Sequence, residues 1–381
     1  MNFDLSDEQR LLRDLIRDFS RCEIAPNITA YEDQHIFPRE IIQKLAELGV
    51  LGMTVPAEFG GTQTDHLSFI LALEELGRVS ASVCVIVAVH GSLFARTILD
   101  QGTARQKDKY LARAARGEVL GGFSVTEPGS GSDSAGLKTR AVRSGSEYVL
   151  NGTKAWVTNA SAADAFILLA QTDLPAGSAK PSAFIVEKGF PGFRVAKVED
   201  KMGLHASVTA EIVLEDCRVP AENLLGEEGR GLAIALHSLE GSRIGIAAQS
   251  VGLAQSALEL AVRYARQREQ FGRPIADFQA VQFEIAEMAT QIEASRLLTY
   301  NAARLRDDGL PFVKESAMAK LFASRAAEEV ASKVIEVHGG YGFTREYPVE
   351  KYFRDQKVGQ IYEGTTHMQL MVIAKQIFGR L

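Results

Sequence analysis

Cysteine is scarce in this chain: Cys22, Cys84 and Cys217 are far apart and odd in number. No disulfide framework and no cysteine-based metal spacing follows from them, and a reducing compartment is the simpler expectation. Long apolar runs are missing too. The most apolar stretch, near Val83 to Val89, reads as far too short to span a bilayer. The acidic start, Met1-Asn2-Phe3-Asp4-Leu5-Ser6-Asp7-Glu8, lacks the basic and apolar regions of a secretion signal and the arginines of a transit peptide. A cytoplasmic protein is expected, with a processed organellar (mitochondrial matrix) form as the alternative. An excess of positive charge is also absent. The net charge of -6 argues against a dedicated nucleic-acid binder but leaves room for a phosphate held locally. There is no low-complexity segment and no internal repeat.

What is present is an ordinary globular composition, 46% hydrophobic and 24% charged over 381 residues, enough for two or three domains. The first third is helical. Ser6-Asp7-Glu8-Gln9 fits a capping box, and Leu11, Leu12, Leu15, Ile16 and Phe19 repeat at helical spacing. Further helices are predicted from Pro38 to Leu48, from Leu67 to Leu99 with a break near Ser80 or Gly91, and from Ala104 to Arg116. From Gly121 to Leu225 the pattern becomes short and alternating. Asn151-Gly152 reads as a hairpin turn between two strands, because both positions tolerate positive φ. From Gly231 helical spacing returns in three long segments and a short one from about Met368 to Phe378. The expected order is an α-helical domain (1–118), an all-β domain (119–228) and a helical bundle (229–381), an α+β multi-domain chain.

Five clusters carry candidate chemistry. Phe123-Ser124-Val125-Thr126-Glu127-Pro128-Gly129-Ser130-Gly131-Ser132-Asp133 offers glycines for close approach and hydroxyls and amides for a phosphate or ring edge. It has neither dinucleotide-fold nor Walker spacing, and a ligand-free loop is an equal reading. Trp156, the single tryptophan, followed by Val157, Thr158 and Asn159, fits a core position better than a cofactor wall by pattern alone. Arg266-Gln267-Arg268-Glu269-Gln270-Phe271-Gly272 ends a helix, where basic residues complement the dipole, although Arg268 also suits a pyrophosphate. Val337-His338-Gly339-Gly340 is an ordinary helix end in which His338 reads as structural. Finally, Glu363 stands between Tyr362 and Gly364 at a helical break. A carboxylate partly desolvated there by an apolar and aromatic wall would be a better base, although taken alone a solvated glutamate in a turn is the favoured reading.

Taken in order, these motifs resemble the acyl-CoA dehydrogenase family across nearly the whole chain. They are Thr126-Glu127-Pro128-x-x-Gly131-Ser132-Asp133, Trp156-Val157-Thr158-Asn159, Arg268-x-x-Phe271-Gly272 and His338-Gly339-Gly340-x-Gly342. Glu346-Tyr347-Pro348, Arg354-Asp355 and Ile361-Tyr362-Glu363-Gly364-Thr365 complete the set. Arg243 to Gln249 and Lys314 to Lys320 look most like short-chain and bacterial butyryl-type members. The resemblance implies a middle β-barrel between an N-terminal helical domain and a C-terminal four-helix bundle, with FAD as cofactor. Phe123 to Ser132 and Trp156, Val157 and Thr158 would line the isoalloxazine. Arg268, Gln270, Phe271 and Gln279 would hold the pyrophosphate and adenosine half. Glu336, Val337, His338, Gly339 and Gly340 would reach the FAD of a neighbour in a homotetramer, and Thr365, Thr366 and His367 would close the site. Ser132, Glu240, Gly241, Ser242, Arg243, Tyr362 and Gly364 would contact the acyl-CoA thioester, with Glu363 as the base.

The implied reaction is α,β-dehydrogenation of a short- to medium-chain acyl-CoA, linear, branched or cyclic, with electrons passed to an electron-transferring flavoprotein. An oxygen-using oxidase and a non-catalytic CoA-ester or flavin scaffold are the alternatives. Several positions depart from the family pattern. Ser242 stands where some members carry the base, Glu336 replaces a usual glutamine, and Phe343 replaces a usual tyrosine. Thr365-Thr366-His367 replaces Thr-Ser/Asn-Gln.

Overall fold

Ser6 caps the first helix in the expected way. Its Oγ accepts from Gln9 N at 3.1 Å, and Gln9 Oε1 accepts from Ser6 N at 3.0 Å. The computed structural model describes residues 4–173 and 179–379. Met1 to Phe3, part of the N-terminal stretch read above, lie outside the described residues. Seven helices form the N-terminal domain: α1 Asp7–Phe19, α2 Ala25–Asp33, α3 Arg39–Glu47, α4 His66–Val79, α5 Ala81–Ala88, α6 Arg96–Gln101 and α7 Ala104–Ala115. The predicted break at Ser80 is real, since its extended backbone ends α4 and its side chain caps α5 by accepting from Val83 N. Around Gly91 the chain does not break. A π-helical segment, Val89–Ala95, joins α5 to α6. This makes Ala81–Gln101 a 21-residue apolar helix, long enough to cross a membrane, contrary to the short run read from sequence. Nearly all of its most apolar stretch is buried inside the protein, as in a core helix.

The middle domain is an eight-stranded sheet: β1 Gly121–Ser124, β2 Arg140–Ser144, β3 Glu147–Thr158, β4 Ala165–Asp173, β5 Ala179–Glu187, β6 Phe193–Val198, β7 Thr209–Pro220 and β8 Leu224–Leu225. The strand order is β6-β7-β3-β2-β4-β5-β8, with β1 parallel to β4. The Asn151-Gly152 hairpin is absent. Both residues lie inside β3, at a register shift against β7. The β2–β3 turn falls instead at Gly145-Ser146, where Gly145 has φ 63°. Gly152 is needed for a different reason: a Cβ there would stand 2.5 Å from Thr139 Oγ1.

The C-terminal bundle packs α8 Gly231–Gln267, α9 Gln279–Asp307, α10 Val313–His338 and α12 Thr366–Phe378, with a short α11, Val349–Gln356, before the last helix. Buried carboxylates lock the domains together. Glu32 of α2 accepts from Ser82 Oγ at 2.6 Å and His205 N at 2.8 Å, and Lys351 Nζ stands 3.4 Å away. Asp355 accepts from Leu204 N at 2.8 Å. The segment bearing Glu363 is therefore fixed against both other domains.

Candidate active site

Glu363 sits on the break between α11 and α12, as the adjacent glycine and paired threonines imply. Its backbone is left-handed, φ 53°, and Gly364 follows at φ 90°. A non-glycine residue in that region costs about 1–2 kcal/mol, so its surroundings must hold it. They do so through carbonyls. Gln369 Nε2 donates to Gly364 O at 2.8 Å and to Glu363 O at 3.2 Å, and Lys320 Nζ donates to Gly364 O at 2.6 Å. Thr365 caps α12 by accepting from Met368 N. The Glu363 N–H finds no acceptor among the described residues.

The half-buried carboxylate points at α8, where Ser242 Oγ donates to Glu363 Oε2 at 2.5 Å. Burial raises the Glu363 pKa. The Ser242 hydrogen bond and the Lys320 and Arg243 charges pull it back only in part. Lys320 is fully buried, and burial lowers its pKa to about 7. Arg243 is 5% exposed, with Nε and Nη1 unpartnered among the described residues, and burial lowers its pKa as well. A hydroxyl, two cations and a base thus converge where little water reaches.

An apolar cluster takes in Tyr362, the neighbour of Glu363 in the chain. Val85, Val89 and Leu93 pack with Leu204 and Leu253, and Phe123, Leu239 and Tyr362 lie against them. Phe123 of β1 and Tyr362 therefore meet the same cluster. Two buried polar side chains face one another there, Tyr362 and Gln249, with neither Tyr362 Oη nor Gln249 Oε1 in a well-formed hydrogen bond among the described residues. Gln249 was not singled out in the sequence. It lies seven residues beyond Ser242, two helical turns along one face, and that spacing was the available signal.

Not every motif residue turns its side chain to this centre. Gly241 faces away, since a Cβ there would meet Arg306 Nη1 at 2.1 Å. Successive helical residues are roughly 100° apart, so Glu240 to Arg243 cannot share one face. Glu240 lies 3.6 Å from His237 Nδ1. Glu127 is 6% exposed and committed inside the loop. It accepts from Lys154 Nζ at 2.7 Å, Lys138 N at 2.6 Å and Thr139 N at 3.0 Å, and its backbone N–H and carbonyl pair with Ser130 at 2.9 and 3.1 Å, so Glu127 shapes the loop. Ser130 donates to Asp133 O, while Pro128, Gly129, Gly131 and Ser132 are exposed. Val157 and Val337 are core side chains.

Trp156 corrects its core reading. It is 61% exposed with φ 59°, because β3 shifts register between Lys154 and Val157 and the bulge turns the indole outward. Ser124 Oγ is buried and unpartnered among the described residues, and Val125, Thr126 and Thr158 are half-buried nearby in sequence. An exposed aromatic plane, an orphan hydroxyl and open glycines suit a flat polar-edged ring such as a flavin.

A second cluster forms at the far end of α8, about 40 Å along the helix from Ser242. There Arg268 packs 5.6 Å from the Tyr341 ring, and His338 stacks on Tyr264 at 4.3 Å and donates to or accepts from nothing catalytic. His338 Nδ1 pairs with Val334 O. A two-stranded ribbon, β9 Glu269–Gln270 and β10 Arg273–Pro274, turns through Phe271 (φ 53°) and Gly272 (φ 77°). Phe271 is 94% exposed, and Gln270, Gln279, Glu336, Gly339 and Gly340 are exposed as well. Thr365 and Thr366 are half-buried and His367 is exposed, all beside Glu363 in sequence.

Three family matches cover this chain in order: acyl-CoA dehydrogenase N-terminal domain at residues 6–118, middle domain at 122–217 and C-terminal domain at 229–378. An acyl-CoA dehydrogenase of Bacillus subtilis is 48% identical over 375 residues, covering 98% of this chain and 99% of that one. The butyryl-CoA dehydrogenase structure from Megasphaera elsdenii superposes with a TM-score of 0.96 at 44% identity, over 99% of this chain and 100% of that one. A chain in a structure described as the electron transferring flavoprotein of Acidaminococcus fermentans gives a TM-score of 0.97 at 46% identity, with both chains fully covered.

Proposed function

This chain belongs to the acyl-CoA dehydrogenase family, an enzyme family of flavoprotein oxidoreductases, and from that membership we propose that it desaturates short- to medium-chain acyl-CoA esters with Glu363 as base. One observation carries the reading: a half-buried carboxylate of raised pKa, fixed on a strained backbone, turned toward Ser242 of α8 and next in the chain to Tyr362 of a buried apolar cluster. Glu363 takes the α-proton of the thioester. Its own N–H, free of protein acceptors among the described residues, is a donor for the enolate charge that develops on the thioester oxygen. Lys320 and Gln369 hold the Glu363 and Gly364 carbonyls of the two peptides that follow, which fixes the backbone carrying the donor. The unpartnered Arg243 donors and Ser132 suit the CoA portion.

The cofactor fitting this chain is FAD, which when bound accepts the β-hydride. Ser124, Trp156 and Thr158 are the residues for its ring edge and face. Arg268, Gln270, Phe271 and Gln279 lie with Gly339 and Gly340 at the other end of the bundle. A single cluster there supports one role for all of them: contact with the flavin of a neighbouring copy in a tetramer. An electron-transferring flavoprotein is the proposed acceptor, in keeping with the neighbour from Acidaminococcus fermentans. A cytoplasmic location is proposed.

The test is an anaerobic visible spectrum titrated with saturated acyl-CoA esters, short to medium, branched and cyclic. Bleaching by one ester supports the half-reaction and names the substrate. Glu363→Gln should keep the yellow colour and bind the ester while bleaching about 10²–10⁴-fold more slowly. Bleaching at the unaltered rate would move the base elsewhere.

A further inference from the structure

On the other side of α8 from Glu363 lies a polar cavity of about 280 Å³ with no role in the chemistry above. It is enclosed by the segment Met53 to Pro56, the start of α4, the α6 residues Arg96 and Leu99, and the end of α9. Ser242 faces the base, whereas its neighbour Gly241 faces Arg306 of this cavity. None of the residues around Glu363, and none from the Phe123 to Ser132 loop, lines it.

Two arginines, Arg96 and Arg306, and two carboxylates, Asp65 and Asp307, line the cavity, and Asp100, Asp307 and Glu240 act on Arg306 from beyond contact distance. Arg306 has no carboxylate within ion-pair distance among the described residues. Its polar partner is His66 Nε2, 3.2 Å from Nη1, and Phe312 lies 5.6 Å from its guanidinium carbon. His66 is held neutral, because burial and Arg306 push its pKa well down, so the ring accepts from the guanidinium and supplies no charge. Arg96 also lines the cavity. It pairs with Asp100 at 2.9 Å, yet still lowers the Arg306 pKa, with burial the larger cause.

The two lining carboxylates are already committed. Asp307 accepts from His66 N at 2.6 Å and Leu67 N at 3.0 Å, and Asp65 accepts from Ser68 N at 2.5 Å and Gln9 Nε2 at 3.0 Å. All four oxygens serve the N-terminus of α4 or the side chain of α1. One more group points to a ligand. Ser92, 3% exposed, lines the cavity with its Oγ unpartnered among the described residues.

We propose that this cavity is a binding site for a small oxyanion, a phosphate or a carboxylate, held by Arg306 and Arg96 with the Ser92 hydroxyl as a further donor. A guanidinium fork matches the paired oxygens of either group, and a half-buried arginine with no carboxylate in contact gains from such a partner. The volume admits an anion of a few heavy atoms with its water.

The experiment is calorimetric titration of the purified protein at pH 7.5 with inorganic phosphate and, separately, with acetate, in chloride buffer of matched ionic strength. Saturable binding of either anion is expected, with thermal unfolding raised by about 2 °C or more at saturation. Binding of phosphate alone assigns a phosphate-type ligand, and binding of both assigns a general oxyanion site. Arg306→Gln should weaken binding at least tenfold and Ser92→Ala several-fold. Ser92→Ala removes one oxygen from a folded core and keeps the test decisive should Arg306→Gln fail to fold. No saturable binding of either anion, or unaltered affinity in the Ser92 variant together with any folded Arg306 variant, overturns the site.

Discussion

Ser242 Oγ donates to Glu363 Oε2 at 2.5 Å, joining two residues 121 positions apart in the chain. The bond stabilises the ionised carboxylate, opposing the burial that raises its pKa. Ser242→Ala removes that support, so the Glu363 pKa should rise further. The acid limb of the pH–rate profile should then move to higher pH, with turnover at pH 7 falling about tenfold. An unmoved acid limb would mean that Glu363 is not the group titrating in the profile.

The same carboxylate affects stability. Its folded pKa lies above its unfolded one, so the folded state binds the proton more tightly. Stability is therefore favoured below the ordinary carboxylate pKa and declines as pH rises through the folded value. Glu363→Gln, neutral at every pH, should match the unaltered protein near pH 4 and melt at a higher temperature at pH 8. A difference of opposite sign at pH 8 would show that the ionised form is well compensated.

Lys320 carries the complementary sign. Its folded pKa is lowered to about 7 from 10.5 by burial, so the folded state sheds a proton that the unfolded chain keeps between those values. Its contribution to stability should improve as pH rises from about 7 to about 10. Lys320→Met removes both the donor to Gly364 O and the nearby positive charge. Turnover should fall, and the acid limb should move upward as it does for Ser242→Ala. Denaturation midpoints and pH–rate profiles of the variant check the two effects separately.

How much of this was legible depends on whether the cause was local. The helix cap at Ser6, the break at Ser80, the domain order and the break at Glu363 all follow from short-range patterns, and the structure contains them. Asn151-Gly152 was misread because its turn preference is real but yields to pairing along β7, where Gly152 answers instead to the nearby Thr139. Trp156 was misread because alternation assumes an unbroken register, and β3 slips just there. The Ser242, Lys320 and Gln369 partners of the Glu363 segment come from helices brought together by tertiary packing. Spacing along one helix carries no information about its neighbour across the bundle.

Lys154 and Glu127 form a buried ion pair at 2.7 Å, with Lys154 fully buried. Glu127 also accepts from two backbone N–H groups, so the pair braces the loop from Thr126 to Thr139. Lys154→Met would leave the carboxylate buried without its counter-charge, at a cost of about 3–5 kcal/mol. Adding Glu127→Gln should recover part of that loss, because the amide needs no counter-charge. Chemical denaturation of the two variants measures the recovery, and equal stabilities would show that the pair acts through its backbone contacts alone.

Phe271 tests the role of the distal cluster. It is 94% exposed and left-handed, on a two-residue turn where both central positions have positive φ. An aromatic side chain there contributes little to the folding of its own chain, since its ring meets Phe278 edge-on at 6.0 Å and is otherwise open. Phe271→Gly should relieve the backbone strain and leave the chain equally or more stable. If the cluster reaches the flavin of a neighbouring copy, the same variant should lose flavin and shift toward smaller assemblies. Flavin content by absorbance and mass by light scattering would be read on one preparation. Retention of both would assign the exposed ring no part in the shared site.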